Sequence, residues 1–268
     1  MIQIKQIFKR CLLMKIGFIG AGKIGSAIIE GLLNAQNPSE DIYVFDGGRH
    51  HTAQKMAAER HLSLINNYED FNDCQAVIVA VGGSATETII KNLGQKYHGI
   101  ILSTGGGDLT QINQKLPAET SFAKIVPNTP VQIGAGITVA SFIPDEKPAV
   151  ITTVKNIFTQ MGAVYVVPEK LLGIYGTVAG CTPAYVDLMV EALSDAAVQN
   201  GVNRAESYEI INQMLLGTSK LALISKKLPE ELKDEVTTPG GSTIRGVTKL
   251  EEEGFRNALI QAVNTSAN

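Results

Sequence analysis

The stretch Met14 to Leu33, MKIGFIGAGKIGSAIIEGLL, constrains the fold of this chain more than any other segment. Lys15-Ile16-Gly17-Phe18-Ile19 is a short apolar run, and Gly20-Ala21-Gly22-Lys23-Ile24-Gly25 opens a segment with apolar residues at Ile24, Ala27, Ile28 and Leu32. A buried strand, a glycine turn and an amphipathic helix are thus written into one span. The three glycines serve different physical ends. Gly20 makes the tight turn, Gly22 admits a pyrophosphate close to backbone, and Gly25 lets the helix pack near the strand. The phosphates would rest on the unpaired N–H groups of the helix start. Ile19, Gly20, Ala21, Gly22, Lys23, Ile24 and Gly25 are therefore candidate dinucleotide-binding residues, against the rival reading of a tight turn that holds nothing.

A chain of 268 residues with 44% hydrophobic content can bury one large core or two modest ones, and two domains are expected. The net charge of −3 and pI near 5.9 supply no basic footprint for nucleic acid, so no nucleic-acid partner is assigned. No apolar run reaches about 18 uncharged residues, which leaves a membrane span unsupported. The three cysteines, Cys11, Cys74 and Cys181, are widely spaced and odd in number, a pattern of a reducing compartment. A cytoplasmic location is the default. The four histidines show no metal-ligating spacing, and no metal is assigned. Residues 1–13 carry Lys5, Lys9 and Arg10 without an acid, but their apolar part is short and no small-residue cleavage site follows. They read as an N-terminal extension, with the first domain beginning at Met14.

Beyond the first strand and helix, Asp41-Ile42-Tyr43-Val44-Phe45 reads as a second strand ending at Asp46, some twenty residues after Gly25. An acid at that distance bonds the ribose 2′-hydroxyl of NAD, whereas a nearby Arg accommodates the 2′-phosphate of NADP. Asp46 and Arg49 present both chemistries, unless Arg49 and the adjacent histidines are only a solvated loop. The continuous apolar run Gln75 to Val81 suits a strand covered on both faces. Its end, Ala80-Val81-Gly82, joins the candidate cofactor residues, because loops after strand carboxyl ends line the crevice of an open α/β sheet. Gly105 to Gly107, after the strand Gly99 to Ser103, share that placement; turn glycines without a ligand are the alternative.

Phe122 to Val126 reads as a strand, and Pro127-Asn128-Thr129-Pro130 after it as a rigid elbow that holds Asn128 in place at the cofactor. Two more strands, Ile137 to Phe142 and Ala163 to Val167, flank a helix from about Ala149 to Met161. From Pro168 onward the pattern is helical: Thr182 to Asn200, Arg204 to Lys226, Pro229 to Val236 and Gly254 to Ala267. Ala184, Leu188, Ala192 and Ala196 recur at helical spacing, as do Ile210, Met214, Leu221 and Ile224. These stripes are core or subunit interface, and about 100 helical residues without a polar centre suggest an intertwined homodimer.

The segment Thr237-Thr238-Pro239-Gly240-Gly241-Ser242-Thr243-Ile244-Arg245-Gly246 places two glycines and several hydroxyls at a helix start. This is a nest of N–H donors suited to a carboxylate, with a simple helix cap by Ser242 or Thr243 as the alternative. Together with Leu250-Glu251 and Gly254-Phe255-Arg256 it resembles the signature of the Δ1-pyrroline-5-carboxylate reductases. The resemblance spans Met14 to about Val263 and takes in Pro127-Asn128-Thr129-Pro130 and Pro183-Ala184-Tyr185.

The resemblance implies an α/β Rossmann-type dinucleotide-binding domain over 14–168 and an all-helical dimerisation and substrate-binding domain over 169–268. It implies reduction of a cyclic imine to L-proline with NADPH or NADH, dimers that assemble further, and a small-molecule substrate. By resemblance Thr243 matches the hydroxyl that bonds the imine nitrogen and is the candidate catalytic residue. Thr238, Gly240, Gly241 and Ser242 complete the substrate-binding set. The chain departs from the family pattern at Lys23, where Asn is usual, at Gly82-Gly83 in place of Lys-Pro, and across Val178 to Pro183. A paralogue acting on a neighbouring cyclic imine is one alternative, and a nucleotide-binding sensor or scaffold without turnover is another. A β-hydroxyacid dehydrogenase needs a lysine early in its helical domain, and Gly176 to Tyr185 contains none.

Overall fold

The computed structural model describes residues 14–45, 47, 51–83 and 85–267. Contacts divide the chain into two compact units, one ending at Gly180 and one beginning at Cys181.

The first unit alternates strand and helix: β1 (Ile16–Ile19), α1 (Lys23–Asn34), β2 (Ile42–Phe45), α2 (Thr52–Arg60), β3 (Ser63–Ile65), β4 (Ala76–Val79), α3 (Thr86–Gly94), β5 (Ile100–Ser103), α4 (Leu109–Asn113), β6 (Ser121–Pro127), β7 (Gly136–Phe142), α5 (Pro148–Thr159), β8 (Gly162–Val166) and α6 (Glu169–Gly180). The eight strands form one sheet in the order β3-β2-β1-β4-β5-β6-β7-β8. All neighbouring pairs are parallel except β6 with β7. The strand order reverses between β1 and β4, which places a ligand crevice beyond their carboxyl ends.

The apolar runs are continuous because both faces of the sheet are covered. Phe18 and Ile78 point into one cluster with Ile28 and Leu32 of α1 and Val154, Ile157 and Phe158 of α5. Ile19, Val77 and Val79 point the other way, against Phe71, Tyr97 and the α3 residues Ile90 and Leu93. Side chains of this size are each worth about 1.5–3 kcal/mol when fully buried. Removing one, as in Ile78→Ala, costs about 2–5 kcal/mol.

The contact boundary at Gly180 lies beyond Pro168, where the sequence pattern turns helical. Helix α6 is held by the first unit through Leu172, which packs with Val139 and Val167. The Asn128 side chain also donates from Nδ2 to the Ala179 carbonyl at 3.0 Å.

The second unit comprises α7 (Thr182–Gln199), α8 (Arg204–Ser225), α9 (Pro229–Glu235), α10 (Ser242–Glu252) and α11 (Phe255–Ala267). A polar pin joins α7 to α8: the buried Ser194 and Ser207 hydroxyls lie 2.5 Å apart, and Arg204 Nη1 donates to Ser194 Oγ at 2.8 Å. Apolar burial is scarce, with only Val190 and Ile211 buried on the two long helices. Leu188, Leu223 and Ile224 are 67%, 80% and 70% exposed, and Ile210, Met214 and Leu221 are exposed as well. Among the described residues the helical stripes are therefore not core; they are apolar surface without a partner there.

Candidate active site

The glycine loop of the first unit behaves as its spacing requires, with each glycine answering to a different neighbour. Gly20 has φ +101°, and a Cβ there would stand 2.6 Å from the Ala80 carbonyl oxygen, so the loops after β1 and β4 touch backbone to backbone. A Cβ at Gly25 would lie 2.2 Å from the Gly20 oxygen, which makes Gly25 the point where α1 closes onto the loop that precedes it. Gly22 is different: it is the N-cap of α1 at φ −73°, and a Cβ there meets nothing within 4 Å. No side chain caps this helix and no acid stands in its first turn. Its first N–H groups and the positive end of its dipole are thus available to an anion.

Around that opening, Ile19 and Ala21 are buried and Ile24 packs against the core, so their polar contribution comes through backbone groups. Lys23 is exposed, and Ala80 and Val81 are half-buried beside the loop. Gly82 is open around its Cβ position. The buried Thr86 hydroxyl pins this second loop by donating to Val81 O at 3.2 Å or Gly83 O at 3.0 Å. A threonine at a helix start carries no special mark in a sequence, so this pin is visible only in three dimensions. Asp46 and Arg49 lie outside the described residues. The open Gly22 cradle, the uncapped helix end and the exposed Lys23 fit the pyrophosphate of a dinucleotide.

Asn128, a candidate cofactor residue, has a structural role in the elbow. Its Oδ1 accepts from Ile137 N at 2.8 Å while its Nδ2 donates to Ala179 O, so the carboxamide is engaged by protein at both ends. The residue is buried and ties the elbow after β6 to β7 and to α6. The rigid elbow is present; its amide is occupied in holding it.

In the second unit, the N–H of Gly241 donates to Thr238 O at 2.9 Å and Gly240 has φ +70°. Proline followed by a glycine at positive φ is the type II turn pattern, which explains Pro239-Gly240. The turn delivers Gly241 as N-cap of α10 with no side-chain cap and no acid in the first turn. Ser242 and Thr243 are the first residues inside the helix, so the alternative in which either caps it is set aside. Thr238, Ser242 and Thr243 are exposed, and no hydroxyl partner is found for them among the described residues. A Cβ at Gly241 would fall 2.4 Å from Thr238 Oγ1, which puts that hydroxyl at the mouth of the helix. Arg245, one turn in, donates from Nη1 to Gly240 O at 2.7 Å, occupying a carbonyl of the turn that would otherwise repel an anion there. Free helix donors, three hydroxyls and a guanidinium, with no acid in the first turn, suit a carboxylate by their chemistry.

Comparison with known proteins identifies the family. Residues 169–268 match a family profile described as pyrroline-5-carboxylate reductase dimerisation, and residues 15–107 match one described as NADP oxidoreductase, coenzyme F420-dependent. The chain is 34% identical over 257 residues to a pyrroline-5-carboxylate reductase of Synechocystis sp., covering 94% of this chain and 96% of that one. It is 33% identical to the pyrroline-5-carboxylate reductase of Escherichia coli K12, covering 93% and 94%. A solved pyrroline carboxylate reductase of Plasmodium falciparum with NADP bound superposes with a TM-score of 0.82 at 26% identity, covering 95% of each chain. The chain belongs to the pyrroline-5-carboxylate reductase family.

Proposed function

We propose that this protein reduces Δ1-pyrroline-5-carboxylate to L-proline with NADPH. The observation that carries the reading is the second unit's nest: an uncapped α10 start flanked by the unpartnered hydroxyls of Thr238, Ser242 and Thr243. The NADP-bound relative supports the cofactor, and the open Gly22 cradle fits it.

Cofactor and substrate fall to different units. In the first, the Gly20–Gly25 loop and the α1 N-terminus hold the pyrophosphate, and the Ala80–Gly82 backbone lines the continuing groove. In the second, the N–H groups of Ser242 and Thr243 with the Thr238 and Ser242 hydroxyls take the substrate carboxylate, and the Thr243 hydroxyl bonds the ring nitrogen. Bound NADPH supplies a hydride to the C=N carbon. A cyclic imine is basic enough to arrive protonated, so the nitrogen keeps the proton it brought and the chain supplies orientation and hydrogen bonds in place of a strong acid. That suits a nest built of glycines, hydroxyls and one guanidinium. The exposed apolar stripes of α7 and α8 support assembly as a homodimer or higher homo-oligomer. The odd, widely spaced cysteines support a cytoplasmic setting.

The test is to follow NADPH absorbance with pyrroline-5-carboxylate present and absent, with proline identified as product. Oxidation that depends on the imine and yields proline sustains the reading. Intact NADPH binding without turnover would leave the sensor or scaffold alternative, and turnover only on a neighbouring cyclic imine would identify a paralogue.

A further inference from the structure

A charged side chain interrupts the apolar run Phe122–Val126 of β6. Lys124 is in register with Ser103, the last residue of β5, and so stands at the carboxyl end of the sheet. Its Nζ donates to Gly107 O at 2.8 Å and to Glu169 Oε1 at 2.9 Å. The same Glu169 oxygen accepts from Leu109 N at 2.9 Å. The two side chains are only 18% and 28% exposed, unlike the surface ion pairs elsewhere in the chain. One lysine and one carboxylate thus fasten three elements: β6, the loop from β5 to α4, and the start of α6.

The fastened loop faces the candidate cofactor groove. Thr104 N donates to Val79 O at 3.1 Å, and a Cβ at Gly105 would stand 3.2 Å from Val81 O and 2.8 Å from Thr86 Cγ2. The loops after β1, β4 and β5 therefore lie shoulder to shoulder, joined by the Gly20–Ala80 and Gly105–Val81 approaches. A dinucleotide whose adenosine lies at the end of β2 and whose pyrophosphate lies on α1 extends across the switch point toward the loops after β4 and β5. Its nicotinamide end would then reach toward the loop that Lys124 holds from behind.

We propose that Lys124 and Glu169 form a clamp that sets the position of the Thr104–Gly107 loop and, through it, the nicotinamide end of the bound cofactor. Lys124 is then a positioning residue for hydride transfer, an inference that rests on the dinucleotide reading of the preceding subsection. The clamp grips the loop at Gly107 O and Leu109 N, at the end away from β5, where neither the sheet ladder nor the Ser103 hydroxyl bond to Gly105 N reaches. Without Lys124, Gly107 O loses its donor and the loop is held there only through Leu109, while the adenosine and pyrophosphate anchors stay as they are.

The test uses Lys124→Met, Lys124→Arg, Glu169→Gln and the Lys124→Met/Glu169→Gln double variant in the full-length protein. In Lys124→Met, amide exchange across residues 104–109 of the unliganded protein is expected to quicken, and the emission of bound NADPH to change. Its NADPH affinity stays within about threefold of wild type, while kcat falls by about 10- to 100-fold, the scale set by a small misplacement of reacting groups. Lys124→Arg, which keeps the charge and offers donors to both acceptors, restores most of kcat and the slow exchange. Glu169→Gln gives a smaller loss in the same direction, and the double variant loses no more than Lys124→Met, because both act on one loop. A Lys124→Met protein that melts earlier but keeps wild-type kcat and wild-type exchange over 104–109 would overturn the proposal. If wild type fails to reduce pyrroline-5-carboxylate, the function reading falls while the exchange and emission measurements still decide the clamp.

Discussion

Gly22 and Gly25 stand three residues apart in one loop, yet the structure gives them opposite sensitivities. A methyl group at Gly22 enters open space from an ordinary φ of −73°, so Gly22→Ala costs no packing and at most the N-cap preference, under about 1 kcal/mol. For a chain of this size that is a melting shift below about 4 °C. A methyl group at Gly25 meets the Gly20 carbonyl oxygen at 2.2 Å, and backbone cannot swing aside as a side chain can. Overpacking of that kind costs about 1–3 kcal/mol, a melting loss of roughly 2–12 °C. Binding reverses the order of interest. Wild type at an NADPH concentration of about 100 Kd gains about 2.7 kcal/mol, roughly 5–11 °C. Gly22→Val fills the space assigned to the pyrophosphate, so the expected outcome is a near-normal melting temperature with none of that gain, and an NADPH affinity at least about tenfold weaker by fluorescence titration. Thermal melts of Gly22→Ala, Gly22→Val and Gly25→Ala with and without NADPH check all three. A Gly22→Val protein stabilised by NADPH as much as wild type would refute the pyrophosphate assignment, and a Gly22→Ala protein less stable than Gly25→Ala would refute the packing argument.

Four further outcomes are expected. Thr243→Val removes the hydroxyl proposed to bond the charged ring nitrogen; a bond of that kind is worth about 1.5–3 kcal/mol, so kcat/KM for the imine is expected to fall about 10- to 150-fold while NADPH affinity and melting temperature hold; a stability loss without a kinetic one would remove Thr243 from the site. Gly241→Ala drives a methyl group toward Thr238 Oγ1, 2.4 Å away, and is expected to raise KM for the imine while NADPH binding is unchanged. Light scattering is expected to report at least a dimer, and Leu223→Glu, at a position 80% exposed in the single chain, to weaken assembly; a stable wild-type monomer of 28.6 kDa would contradict the interface reading. Burial pushes the Cys74 thiol up to about 12, so its thiolate is scarce at neutral pH and appears only as pH rises toward that value; alkylation mapped by mass spectrometry is expected to spare Cys74 and reach Cys181, and equal labelling of the two in the folded protein would contradict this.

What is legible in the sequence, and what is not, follows from the range of the forces involved. The central parallel strands and the two uncapped, glycine-led helix starts are legible because their signals are local: continuous apolar runs for strands covered on both faces, and glycines, with hydroxyls in the second case, where a helix begins. Strand β3 leaves no such trace, being three residues long with Leu64 exposed, so no period has room to show. Helix α2 is equally faint, since only Ala53, Met56 and Ala57 of TAQKMAAER are buried. The stripes on α7 and α8 can be seen but not assigned, because a helical period is the same whether the partner belongs to the same chain or to another. Exposure favours the second: three aliphatic side chains left two-thirds or more in water forgo about 1.5–3 kcal/mol each, which a second copy can supply and the described residues of this chain do not.

Asn128 and Lys124 show the same limit from the polar side. Both lie in or beside β6, four residues apart, and the sequence draws attention to only one of them. Asn128 stands out because two prolines frame it, yet its carboxamide is consumed by Ile137 N and Ala179 O, partners 9 and 51 residues away. Lys124 reads as one more residue of a strand, although a single charge inside an apolar run is itself a signal, since burying an ammonium without acceptors is too costly to persist. That signal says only that acceptors exist. Gly107 comes from the loop after β5, 17 residues upstream, and Glu169 from the antiparallel turn of β7 and the return of the chain through α5 and β8 to α6, a path of 45 residues that no local pattern encodes. A lone charge in a buried strand therefore carries more information about long-range architecture than a framed amide does, and in this chain it lies behind the loop where the cofactor's reactive end is expected.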